Sequence, residues 1–133
     1  MSNRAIGNSF EDELCNILFS HGFWSHNLKQ NSSGQPADVI AAKNKKAYLI
    51  DCKVCSNNTF VLERIEENQD LAMELWNECG NGIGWFALKT TDGNIYMISH
   101  YVMTAYKDRK HSLSTKEILE LGMPIEKWVK KCK

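Results

Sequence analysis

Apolar and polar positions recur with two different periods along this chain, and the changes of period mark its elements. Phe10, Leu14, Ile17, Leu18 and His21 share one face at helical spacing. Asn8 or Ser9 is placed to cap that segment, Glu11 or Asp12 follows three residues on, and Gly22 ends it, which predicts a first helix. A short strand is expected over residues 23–28, then a polar loop over 29–35. Residues 37–42 and 47–54 read as two strands joined by the polar turn Lys43-Asn44-Lys45-Lys46. Ala47-Tyr48-Leu49-Ile50 is apolar on both faces, as in a central strand covered twice. A second helix is predicted over about 63–79, ending at Gly80, and strands over 84–89 and 94–99 are hinged at Asp92-Gly93. From about residue 112 the chain reads as a helical tail, with a capping box at Ser114-x-x-Glu117 and a break at Pro124. The order predicts an α/β fold with a mixed central β-sheet flanked by helices.

Composition narrows the class. The chain has 133 residues, 43% apolar and 24% charged, which predicts one globular domain over 1–133 and argues against a disordered chain. A core of that size folds without disulfides or a structural metal. The apolar runs are too short to span a membrane, and Met1-Ser2-Asn3-Arg4 offers no apolar signal region. Five cysteines, an odd number, suggest reduced thiols in a cytoplasmic protein. Cys52-Lys53-Val54-Cys55 is a lone C-x-x-C on a predicted strand, its two thiols facing opposite sides, and a zinc or redox site is set aside. Sixteen bases and sixteen acids cancel, but residues 63–80 hold six of the acids against Arg64 alone. The remainder is therefore basic, which permits nucleic-acid binding without announcing it. Lys127, Lys130, Lys131 and Lys133 make a basic tail that suits either a solvated helix end or phosphate contacts.

The candidate chemistry lies on the first hairpin. A turn of even length centred between Asn44 and Lys45 places Asp38 opposite Asp51, with Cβ atoms about 5 Å apart on one face. Lys53, two residues beyond Asp51, points to that same face. Two carboxylates at that distance repel by roughly 3 kcal/mol at an effective dielectric of 20. A divalent cation resolves the conflict: Mg²⁺ prefers oxygen ligands and is held by a few carboxylates plus a substrate phosphate. Such a site suits phosphodiester hydrolysis, with an adjacent ammonium offsetting charge that develops on phosphorus. A third carboxylate is expected from the first helix. Glu11 and Glu13 both lie about 80° from the centre of its apolar stripe, and periodicity does not choose between them. Gln69 falls within the apolar face of the second helix set by Ile65, Ala72 and Trp76, and a buried glutamine needs partners. It suits either the reacting phosphate and water or a core hydrogen bond to backbone.

Three stretches carry a resemblance: Gly7-Asn8-Ser9-Phe10-Glu11, Pro36-Ala37-Asp38-Val39-Ile40-Ala41, and Leu49-Ile50-Asp51-Cys52-Lys53. Together they resemble the PD-(D/E)xK nuclease superfamily, and within it the Holliday junction resolvases of the archaeal Hjc and bacterial RecU kind. In this chain Ala37 separates proline from aspartate, and Asp51 stands where glutamate is usual. The resemblance implies a restriction-endonuclease-like core and selects Glu11 over Glu13. It implies Glu11, Asp38 and Asp51 as ligands of Mg²⁺, with Mn²⁺ as a substitute, Lys53 beside the attacking water, and Gln69 placing water or phosphate. It further implies a homodimer acting on branched or duplex DNA, and products with 5′-phosphates. Arg4, Lys29, Gln30, Asn31, Ser32, Ser33 and Gln35 are the candidate DNA contacts.

The reading that follows is a metal-dependent, structure-selective DNA endonuclease cutting four-way junctions. Two others remain open to the sequence: a nuclease of the same core acting on linear or nicked duplex, and a catalytically silent nucleic-acid-binding module.

Overall fold

The computed structural model describes residues 3–28 and 37–132, with side chains from Ser9 onward in those spans. Helix α1 (Asn3–Ser20) is followed by β1 (Trp24–Asn27), β2 (Val39–Lys43), β3 (Lys46–Val54) and the short β4 (Thr59–Val61). A 3₁₀ turn at Leu62–Arg64 leads to α2 (Glu67–Trp76), which runs into a wide turn at Asn77–Asn81. Then come β5 (Trp85–Lys89), β6 (Ile95–Ser99), α3 (His100–Lys107), β7 (Ser112–Ser114), α4 (Thr115–Leu121), β8 (Met123–Pro124) and α5 (Ile125–Lys131).

Six strands form one mixed sheet in the order β1-β2-β3-β5-β6-β8, and β4 pairs with β7 apart from it. All pairings are antiparallel except β3 with β5. The β2–β3 hairpin turns on Asn44 and Lys45, both at positive φ (53° and 68°), the two-residue geometry that matches strand twist. Its register, from Lys43↔Lys46 to Val39↔Ile50, is the one an even turn at that point dictates.

The sheet is covered on both faces, which is why β3 is apolar on both sides. Ile50, Val39 and Ala41 pack with Phe10, Leu14 and Leu18 of α1 and with Trp128 and Val129 of α5. Leu49 of β3 and Cys55 just beyond it face the opposite layer, built on Met73 of α2, Met103 of α3, Ile118 of α4 and Phe60 of β4. Helix α2 sits so close to the sheet that a Cβ at Gly84 would lie 2.8 Å from Met73 Cγ and Sδ. Among the described residues no helix is long and apolar enough to cross a membrane.

Several boundaries differ from the sequence reading. Helix α1 begins at Asn3, before the expected caps, and His21 lies in the turn beyond it, exposed. The second helix begins at Glu67, because Ile65 and Glu66 are extended (ψ 108° and 153°) after the 3₁₀ turn. Helix α3 follows β6 with no loop, Ser99 Oγ accepting from Val102 N at 3.2 Å to cap it. The stretch read as a helical tail opens on β7 and is interrupted by β8 at Pro124.

Candidate active site

Asp38 occupies the point where the β2–β3 ladder breaks. Its backbone N–H donates to Ile50 O (3.1 Å), although Ile50 is already the register partner of Val39. Two residues thus address one, the count of a β-bulge. The consequence is a carboxylate set into the sheet: Asp38 Oδ2 accepts from Cys52 N at 2.7 Å. In an unbroken ladder that amide would bond to a backbone carbonyl. Leu28 N, just past β1, donates to Asp38 O at 2.8 Å and so fixes the same residue from the other side. The direct opposition expected of residues 38 and 51 is displaced by this bulge, yet their carboxyl groups still meet.

Asp51 is fully buried on the α2 side of the sheet. Burial, then the nearby Asp38 charge, pushes its carboxyl well above the usual range, and Lys53 opposes both. Lys53 Nζ stands 3.3 Å from Asp51 Oδ2, an ion-pair distance without hydrogen-bond alignment. Asp51 Oδ1 accepts from Gln69 Nε2 at 3.2 Å, and Gln69 Oε1 accepts from Glu66 N at 3.1 Å. Gln69 is half-buried rather than in the core: its amide bonds to backbone at the start of α2 and also reaches Asp51.

Glu11 arrives from the α1 side. Its carboxyl hydrogen-bonds to Asp38 and is pushed up to about 8, by burial first and by the Asp38 charge second. Glu13 turns instead to Lys89, 2.5 Å away on β5, so the structure separates two acids that periodicity did not. Asp38 is the hub, met by Glu11 on one side and Asp51 on the other. Among the described residues no three acids, histidines or cysteines surround a single point as a finished ligand set.

Asn27 is a site neighbour that sequence reasoning missed. It stands against Glu11, and its Nδ2 donates to Asp12 Oδ1 at 3.0 Å. The signal was present in the alternation of β1: Trp24 and His26 are exposed, while Ser25 and Asn27 turn in toward α1. Lys29, Gln30, Asn31, Ser32, Ser33, Gln35 and the side chain of Arg4 lie outside the described residues.

The residues present fit a hard divalent cation. Among the described residues Asp51 Oδ2 is buried without a hydrogen-bond donor, and two of three converging carboxyls have raised affinity for positive charge in the form of a proton. An oxygen donor set of this kind is the chemistry of a Mg²⁺ or Mn²⁺ site.

A family model described as archaeal Holliday junction resolvase (Hjc) matches residues 2–133. The fold is similar to the solved structure of Hjc from Archaeoglobus fulgidus, a hyperthermophilic archaeon, described as a Holliday junction resolvase. The TM-score is 0.73 at 15% identity, covering 92% of this chain and 99% of that one. No curated protein matches the sequence.

Proposed function

The chain belongs to the Hjc family of archaeal Holliday junction resolvases, junction-resolving endonucleases of DNA recombination and repair, and from that premise we propose how its own residues cut DNA. Glu11, Asp38 and Asp51 hold a divalent metal, Mg²⁺ with Mn²⁺ as a substitute. When bound, the metal polarises the phosphoryl oxygen and eases deprotonation of the attacking water. Lys53 places its ammonium beside the reacting phosphate and offsets the negative charge that builds there. Gln69 fixes the orientation of Asp51. Water adds to phosphorus, the P–O3′ bond breaks, and the products carry a 5′-phosphate and a 3′-hydroxyl.

The observation that carries this reading is the meeting of Glu11 from α1 and Asp51 from β3 at Asp38, just before β2, beside Lys53 at 3.3 Å from a buried oxygen that no donor among the described residues satisfies. A structural ion pair has no use for the third acid. The active species is a C2 homodimer, since a four-way junction presents two symmetric strands and a dimer presents two sites to match. Arg4, Lys29, Gln30, Asn31, Ser32, Ser33 and Gln35 contact the phosphates flanking the cut, and the setting is the cytoplasm.

The test is cleavage of an end-labelled four-way junction and of a linear duplex with the same arms, with and without Mg²⁺. Paired nicks in the junction alone, dependent on the cation, are expected. Equal rates on both substrates would withdraw junction selectivity in favour of a linear-duplex nuclease. A wild-type chain that binds the junction but never cuts it, with Mg²⁺ or Mn²⁺, is a silent binding module.

A further inference from the structure

The β2–β3 hairpin carries acids at one end and lysines at the other. Lys43 and Lys46 are register partners beside the turn, and Lys45 lies within it. Helix α5 packs against this end of the hairpin. Phe23 stacks on Trp128 with ring centroids 5.8 Å apart, Tyr48 meets Trp128 edge-on at 5.2 Å, and Lys43 Nζ lies 5.1 Å from the Phe23 ring. Because Trp128 and Val129 are the buried face of α5, Lys127, Lys130 and Lys131 are its exposed face. Two segments separated by some 80 residues of sequence thus bring six lysines to one end of the α1/α5 layer.

What these lysines lack among the described residues is an acidic partner, although Lys43 Nζ donates to the His21 carbonyl at 2.8 Å. The ion pairs among the described residues employ Lys53, Lys89, His100, Lys107 and Lys110, and none of these six. The acid within the same segments is Glu126. In a chain of zero net charge, that segregation makes a local positive field that suits a polyanion. Six of the sixteen acids fall in residues 63–80, across the sheet around α2.

We propose that the lysines of the β2–β3 turn and of helix α5 form a second duplex-binding surface, which grips the phosphates of a junction arm at a distance from the bond that is cut. The surface rests on the function proposed above and gives its substrate a second contact. From Lys46 to Asp51 is five residues of strand, roughly 17 Å, or about five base pairs of B-DNA. The contact is to backbone charge, carries no sequence information and serves to position the arm.

The test is equilibrium binding of a labelled four-way junction in a chelating buffer across a salt series, comparing wild type with Lys46→Glu, Lys130→Glu and Lys116→Glu. Lys116 is exposed on α4, away from this surface, and its reversal changes net charge equally. Lys46→Glu and Lys130→Glu are expected to weaken binding about tenfold at 0.1 M salt and to flatten the slope of log K against log salt by about one for each phosphate that is no longer neutralised. Lys116→Glu should stay within about twofold of wild type. Equal weakening by all three, or by none, overturns the surface. All three positions are exposed, and matching melting temperatures will show that the variants fold. A wild type that binds the junction no better than a linear duplex counts against the resolvase reading itself, an outcome separate from the comparison among variants.

Discussion

Gln69 joins helix α2 to Asp51 through one side-chain amide, accepting from the Glu66 backbone at 3.1 Å and donating to the carboxyl at 3.2 Å. The first turn of the helix and the orientation of the buried acid are therefore a single structural unit. Gln69→Ala removes both hydrogen bonds. It should cost about 1 kcal/mol in urea unfolding, as removal of a cap does, and lower single-turnover junction cleavage by about 10- to 100-fold, as removal of a partner from a metal-holding carboxylate does. Gln69→Glu retains an acceptor for Glu66 N but has no donor for Asp51. It should keep more of the stability than the alanine variant while losing comparable activity. Full activity in Gln69→Ala would reduce this residue to a helix cap.

Glu11 and Glu13 are two residues apart on α1 and have separate fates. Glu11→Gln should reduce cleavage by more than about 100-fold, since it takes one acid from the cluster. Glu13→Gln breaks the half-exposed pair with Lys89, costs under about 1 kcal/mol, and should leave the cleavage rate within about twofold. Measured single-turnover rates of the two variants decide it, and a reversal of the two results would move the metal to the other acid.

The raised acids predict a specific dependence of stability on pH. The Glu11 carboxyl titrates near 8 in the folded chain, against 4.5 for an unperturbed group, and Asp51 is shifted in the same direction. Between those limits the folded state holds protons that the unfolded chain has released, so stability falls as pH rises from about 4.5 toward 8. In a chelating buffer the melting temperature should be lower at pH 8 than at pH 5.5. Saturating Mg²⁺ favours the deprotonated native site and should raise it, by more at pH 8 than at pH 5.5. A Mg²⁺-induced shift of the same size at both values would mean that the cation binds away from these acids.

The legibility of the sequence followed the length of its signals. The hairpin was readable because Ala47-Tyr48-Leu49-Ile50 is an unbroken apolar run within the nine residues of β3 and because Asn44 and Lys45 allow a two-residue turn that sets every pair behind it. The separate sheet of β4 and β7 was not, since each strand has three residues and Phe60 meets Leu113 from more than 50 residues away. Helix α3 escaped because the run Ile95-Tyr96-Met97-Ile98 passes into it with no glycine or proline between, and only Ser99 marks the change. At the candidate site, residue types and spacing singled out Asp38, Asp51 and Lys53, and the fold sets Asp51 beside both of the others. The bulge did not show, because it adds no residue type of its own and is visible only as a second amide on Ile50 O. The separation of Glu11 from Glu13 depended on Lys89, a residue 76 positions from Glu13.

Asp38 performs two tasks that substitutions can separate. Its Oδ2 satisfies the Cys52 N–H at 2.7 Å, a structural task that needs an acceptor but no charge. Its negative charge raises the affinity of both Glu11 and Asp51 for protons, an electrostatic task that needs the carboxylate. Asp38→Asn keeps an amide oxygen for Cys52 N and should fold with native-like stability. With the charge gone, the downward shift of the Glu11 titration toward 4.5 should be visible by carboxyl NMR, and junction cleavage should fall by more than about 100-fold. Asp38→Ala leaves the Cys52 amide without its acceptor, and an unmade hydrogen bond of that kind costs about 1–3 kcal/mol. It should therefore be the less stable of the two by that amount in urea unfolding, at equal loss of cleavage. Equal stability of the two variants would mean that water or a relaxed backbone replaces the carboxylate at the bulge. An active Asp38→Asn would remove Asp38 from the chemistry and leave it only its place in the sheet.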